Sequence, residues 1–378
     1  MKISLTAVLL VFVTAKSFAQ RNLSYNYQIP VQLNDGFKTG SLSKAGIDSS
    51  KIIELTDSIL YGYYSNIHSL LIVRNNNLVY ENYFPGQEDL FYGDSSIVNH
   101  DKDYIHECRS ITKSVVSTCI GIAIAQGKIR SIDEKVFDFF PEYAKYDTGM
   151  KKMLTIKHLL TMTSGIKWRE GDSASTNQQN VMMHNQNPVE YFMSQPLINI
   201  PGKVWNYNGG CTQILAAIIK KTTGDEIDSF ANKNIFMPLG ITKFSWDKTA
   251  DGFRWGASGL RLHSRDMAKF GLLYLNKGQW KGRHIIPSDW IDESFRFHIF
   301  IEDSVKAYGY QFWCFVDTVN ERPTKTIEAL GNGGQRIFFN KQLDLLVVIT
   351  AGNYYSHPLK NSDAVLIDYI YPAIKRKR

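Results

Sequence analysis

Ser110 and Lys113 are the two residues of this chain whose types and spacing most directly suggest chemistry. A serine in the first turn of a helix lies where unpaired N–H groups and the helix dipole favour negative charge. The i, i+3 spacing sets Lys113 on the same face, one turn deeper into a segment that is otherwise small and apolar. Burying an ammonium is costly, so a neutral amine becomes available there as a base for the serine hydroxyl. The competing reading makes Ser110 a plain helix cap, a common role for serine at that position. A cap does not explain a lysine on the inner face of an apolar helix. The Ser-x-x-Lys pattern is not rare by itself, because Ser41–Lys44, Ser164–Lys167 and Ser245–Lys248 repeat it. What separates Ser110 is the helix that follows it.

That helix is predicted over residues 110–126. After Lys113 it is nearly all apolar or small, and Gly127 suits the stop. Helical spacing also marks 52–61, 156–162, 188–194, 212–223, 264–276 and 362–373. A hairpin is predicted from Ser69–Val73 through the turn Asn75-Asn76-Asn77 to Phe84. Residues 308–316, 336–340 and 343–350 are rich in strand formers, whereas 20–46 and 85–107 look irregular. Strands near both ends with helices between them indicate an α+β chain. The sheet-bearing domain is split (20–107 and 251–378) around an inserted helical domain (108–250).

The composition is that of a globular protein: 378 residues, 44% hydrophobic and 21% charged, which argues against disorder. Residues 1–19 resemble a cleavable secretory signal: Lys2, the apolar run Leu5–Val13, then Ser17-Phe18-Ala19 before a cut near Ala19. The expectation is a secreted or periplasmic protein with no membrane span after cleavage. Of the net charge of +7, Lys2 and Lys16 fall in the leader and four charges in Lys375–Arg378, so the body is close to neutral. No nucleic-acid-binding face is expected. Cys108 and Cys119 lie about 16 Å apart along one helix, too far for a disulfide, which leaves two complete pairings or free buried thiols. The nine histidines are scattered, with neither C-x-x-C nor H-E-x-x-H, so no metal and no organic cofactor is expected.

Several segments together carry a family likeness. They are Arg109–Ser114, Gly127-Lys128-Ile129, Phe140–Tyr143, Ile156–Gly165, Pro201-Gly202-x-x-Trp205-x-Tyr207, Gly259–Leu262, Asp266–Gly271 and Gly331–Gln335. In this order they resemble the serine β-lactamase-related family, which includes class C β-lactamases, D-Ala-D-Ala carboxypeptidases, family VIII esterases and 6-aminohexanoate-dimer hydrolases. The resemblance implies a β-lactamase/transpeptidase-like fold, with an antiparallel sheet flanked by helices. It implies Ser110 as the nucleophile that carries the acyl group, Lys113 as the lysine that helps deprotonate it and Tyr207 as a proton shuttle. It also implies an oxyanion hole from the backbone N–H groups of Ser110 and Asn332. Two positions depart from the family pattern. Tyr207-Asn208-Gly209 lacks the asparagine two residues after the tyrosine, and Ala329-Leu330-Gly331 stands where the family has Lys-Thr-Gly. The cation and hydroxyl that hold a substrate carboxylate are therefore absent, a contact worth about 1.5–3 kcal/mol. The expected substrate is a small ester or linear amide, with the 6-aminohexanoate-dimer hydrolase branch the nearest match. The alternative is a penicillin-recognising sensor or D-Ala-D-Ala peptidase-like protein with little turnover. Trp168 and Asp172 are weaker candidates for a gating tryptophan and an amine-binding aspartate, against the plainer readings of packing and a loop charge.

Overall fold

The structure is a computed structural model that describes residues 24–90, 94–170, 177–302, 305–354 and 360–375. The leader, Asp172 and the last three residues lie outside the described residues. The organising element is a nine-stranded sheet that joins the two ends of the chain. Ile67–Arg74 and Asn77–Tyr83 form the predicted hairpin, and Asn75 and Asn76 take the positive φ of its turn (49° and 62°). Ile67–Arg74 then pairs antiparallel with Leu345–Ala351. The sheet continues through Gln335–Asn340, Arg322–Gly331, Trp313–Val319, Lys306–Tyr308 and Ile299–Glu302. Lys38–Thr39 adds a short parallel edge strand within a segment read as irregular.

Strand alternation divides the core between the two faces of this sheet. Leu71, Val73, Ile337, Phe339, Leu346 and Val348 face the helices Ile111–Ala125, Gly209–Thr223 and Ser264–Leu275. Leu70, Ile72, Phe338, Leu345, Val347 and Ile349 face Ser49–Leu60 and the C-terminal helical turns beginning at Ser362. Every residue from Ile111 to Ala123 is buried, as an apolar helix without a solvent face requires. Among the described residues, no helix is long and apolar enough to cross a membrane.

Two sequence expectations need correction. Residues 85–107 are not loop-like: Pro85–Leu90 and Asp94–Asn99 form a hairpin, and Ile105–Glu107 pairs with Leu260–His263. These strands are short and polar, with little alternation to reveal them, and are held by pairing and by the neighbours they pack on. In addition, histidines that look scattered along the chain are gathered by these strands, for His68, His100 and His106 come together around Glu88. All four cysteines are buried and free.

Candidate active site

The segment entering the long buried helix is a tightly held turn. Cys108 N–H donates to the Leu260 carbonyl at 2.8 Å, which ties the turn to the neighbouring strand. Arg109 takes a positive φ of 49°, an uncommon conformation for a side-chain-bearing residue. Its guanidinium meets the Glu107 carboxylate at 3.1 Å and lies 4.4 Å from the centre of the Tyr354 ring. Ser110 follows at the helix N-terminus, with its side chain partly exposed and making no capping bond. It accepts instead a 3.0 Å hydrogen bond from Lys113 Nζ. The plain cap reading therefore fails on geometry.

Lys113 is 1% exposed, and its Nζ also donates to the Ala257 carbonyl at 2.9 Å. That second bond aims the amine back toward the serine, within a helix whose residues around it are buried. Tyr207 comes from a distant loop just before the Gly209–Thr223 helix, and its ring lies 4.9 Å from Lys113 Nζ. Trp313 stacks on Tyr207 at 5.8 Å, while Trp205 and Tyr308 complete an aromatic wall. The structure thus gathers Ser110, Lys113 and Tyr207 around one amine.

The strand Arg322–Gly331 closes the other side. A Cβ at Gly331 would lie 2.5 Å from the Cys108 carbonyl oxygen and 3.1 Å from Arg109 Cβ, so only glycine lets the strand meet the Ser110 turn. Asn332 is the first residue beyond that contact and is exposed. Ala329 is buried in the core cluster, so an apolar side chain stands at the position where the family has its lysine.

The second departure from the family pattern is filled in a way the sequence does not reveal. Asn208 caps its helix by accepting from Cys211 N–H at 3.2 Å. A Cβ at Gly209 would lie 2.0 Å from Gln179 Oε1 and 3.0 Å from Glu170 Oε1. Gly209 N–H donates to Glu170, as does the indole of Trp168 at 3.0 Å. Two polar side chains from elsewhere in the chain therefore occupy the space left by the missing side chain at 209. Their distance in sequence, 30 residues or more from Gly209, hides the relation. Trp168 itself is 5% exposed and packs on Tyr191 and Phe192, so it is a core residue and not a gate.

Residues 68–371 match the family described as Beta-lactamase. The 6-aminohexanoate-dimer hydrolase of Paenarthrobacter ureafaciens is 24% identical over 275 residues, covering 64% of this chain and 65% of that protein. Esterase EstB of Burkholderia gladioli is 25% identical over 150 residues, covering 37% of this chain and 38% of EstB. The match thus spans less than two thirds of either relative. A solved family VIII carboxylesterase shares the fold, with a TM-score of 0.65, 16% identity, and coverage of 87% of this chain and 99% of that one. With the family matched from the first core strand to the last helical turn, the chain belongs to the β-lactamase family.

Proposed function

We propose that this chain is an exported serine hydrolase that cleaves ester or linear amide bonds of small substrates through an acyl-enzyme on Ser110. The observation that carries this reading is the 3.0 Å contact between Ser110 Oγ and a buried lysine amine anchored on the Ala257 carbonyl. In acylation, Ser110 Oγ bonds to the substrate carbonyl carbon and its proton passes to the Lys113–Tyr207 pair. The carbonyl oxygen gains negative charge, and this reading assigns its stabilisation to the backbone N–H groups of Ser110 and Asn332. The bond to the leaving alcohol or amine then breaks, and the proton goes to that group. Water repeats the sequence in reverse, and the acid leaves.

The substrate class follows from what the site lacks. With Ala329-Leu330 in place of a lysine and a threonine, a substrate carboxylate has no charged or hydroxyl partner at these two positions. That disfavours β-lactams and D-Ala-D-Ala termini relative to uncharged esters and amides. The relatives named hydrolase and esterase point the same way.

The test uses the purified protein and its Ser110→Ala variant, with p-nitrophenyl butyrate as substrate and a fluorophosphonate as covalent probe. Turnover and a mass adduct, both lost in the variant, are expected. An adduct without turnover would favour the acylated sensor, and no adduct would overturn the reading. Export predicts a mature N-terminus at Gln20, read by N-terminal sequencing of the secreted protein.

A further inference from the structure

Four residues from four separate segments converge in a buried cluster close to the nucleophile turn. They are His68 on Ile67–Arg74, Glu88 on Pro85–Leu90, His100 just after Asp94–Asn99 and His106 on Ile105–Glu107. Each presents one nitrogen or oxygen, and these four atoms all lie within 4.8 Å of one another. His68 Nδ1 is 2.8 Å from His106 Nε2, and His100 Nε2 is 3.0 Å from Glu88 Oε2. Glu88 Oε2 is also 3.5 Å from His68 Nδ1 and 3.7 Å from His106 Nε2. Ligand atoms around a tetrahedral zinc ion, at about 2.0–2.1 Å from the metal, stand about 3.3 Å apart. The cluster brackets that spacing.

The outer nitrogens determine what the inner ones can do. His106 Nδ1 lies 3.1 Å from the Glu107 carbonyl and His100 Nδ1 lies 3.1 Å from the Phe84 carbonyl. A carbonyl only accepts, so each outer nitrogen carries the hydrogen. His68 Nε2 faces Asn66 Oδ1 at 3.2 Å. The Asn66 amide has one orientation, because its Oδ1 accepts from Gln87 N–H and its Nδ2 donates to the Gln87 carbonyl. His68 Nε2 is therefore a donor too. In neutral rings, all three inner nitrogens then present bare lone pairs toward one another and toward a carboxylate. Two bare nitrogens 2.8 Å apart repel unless a cation lies between them. Outer-nitrogen bonds of this kind are how proteins orient metal-binding imidazoles.

We propose that His68, Glu88, His100 and His106 form a structural Zn²⁺ site. Three imidazoles and one carboxylate suit zinc among the divalent transition metals. Four protein ligands in a buried position leave no place for substrate or activated water, so the ion holds structure and does no hydrolysis. His68 is packed against Gly86, where a Cβ would come within 2.4 Å of the ring, so its strand can bring the imidazole this close. The His68 and His100 rings are stacked, 3.8 Å apart and 14° from parallel. They splay when the ion enters, because each nitrogen donates in the plane of its ring. The ion clamps the 85–99 hairpin and the strand leading into Ser110 onto the main sheet.

The experiment uses the full mature chain purified without a histidine tag. Metal content is measured by inductively coupled plasma mass spectrometry after growth with zinc. The protein is then stripped with a chelator and reloaded with Zn²⁺ or with Co²⁺ as a visible probe. The expected result is about one zinc per chain, a Tm lower by roughly 5–10 °C after stripping and restored by Zn²⁺, and the strong visible absorption of tetrahedral cobalt. Glu88→Gln loses stoichiometric zinc, while Ser110→Ala keeps it, so the outcome is independent of the hydrolase reading. If the reloaded wild type holds no zinc and gives no cobalt absorption, the cluster is a proton-sharing network and the proposal is wrong. Zinc retained equally by Glu88→Gln and by His100→Ala would also overturn it, since the ion would then lie elsewhere.

Discussion

The Ser110 pocket and the histidine cluster lie four residues apart in the chain, at Ser110 and His106, yet they are built on opposite principles. Two of the three pocket residues share a single helix turn, and the serine remains partly exposed. The cluster draws its members from four segments, and all of them are buried. The pocket keeps one hydroxyl poised against one amine, so its polar groups are available for reaction. The cluster faces its polar groups inward, so they serve one another. Buried polar groups can therefore serve chemistry or architecture, and the difference lies in whether a face is left open.

Two buried glutamates repeat the contrast in their ionisation. At Glu88, burial opposes the charge, but the groups it faces, His100, His106 and Arg109, outweigh it and hold the carboxyl below its ordinary range. At Glu328, burial and the nearby Asp363 carboxylate prevail over Arg336 and push the carboxyl up to about 8.

If this contrast is right, substitutions in the two regions separate into losses of rate and losses of stability. The largest effect is expected for Ser110→Ala, with a loss of about 10⁴-fold or more in esterase kcat and a Tm within a few degrees of wild type. Lys113→Ala follows, with about 10³-fold lost from kcat at similar stability. An unfolded Lys113→Ala would break the comparison, because the pocket would then be architecture as well. His106→Ala is expected to do the reverse: about 2–4 kcal/mol lost from global stability in urea unfolding, and kcat per folded molecule within about tenfold. Gly331→Val tests the boundary between the regions, since its side chain must collide with the Cys108 carbonyl. About 1–3 kcal/mol of stability is expected to be lost, together with most of the activity, as the strand moves off the nucleophile turn.

The smallest effect is the pH slope contributed by Glu328. Its folded pKa stands above the ordinary value of about 4.5, so the folded chain retains a proton that the unfolded chain releases. The associated stability is present in full below about 4.5 and is lost as the pH rises to about 8. Glu328→Gln removes that slope, which urea midpoints measured across the window would show. An unchanged slope would assign the pH dependence to other groups.

The parts legible in the sequence were those that follow a local period. The Ile111–Ala125 helix, the Asn75-Asn76 hairpin and the Pro188–Ser194 helix show themselves through apolar spacing, turn residues and a proline start. Ser110 and Lys113 were found because a helix places i and i+3 on one face, whatever lies around it. Tyr207 needed the family likeness, since nothing in its own neighbourhood separates it from the other tyrosines. The hairpin of Pro85–Leu90 and Asp94–Asn99 is not legible in the sequence because its strands are short and polar, and without it the meeting of His68, Glu88, His100 and His106 stays hidden. The same holds for Gln179 and Glu170, which reach Gly209 from 30 or more residues away.

The sequence by itself determined the buried helix and set its serine and lysine on one face, because that is a matter of residue type at a fixed local spacing. The tertiary structure decided which acid meets which histidine, which side chains fill the gap at Gly209, and that Gly331 must be bare where the strand closes on the turn. Such contacts depend on strand pairing between distant segments, and no local periodicity encodes the partner that a fold will bring.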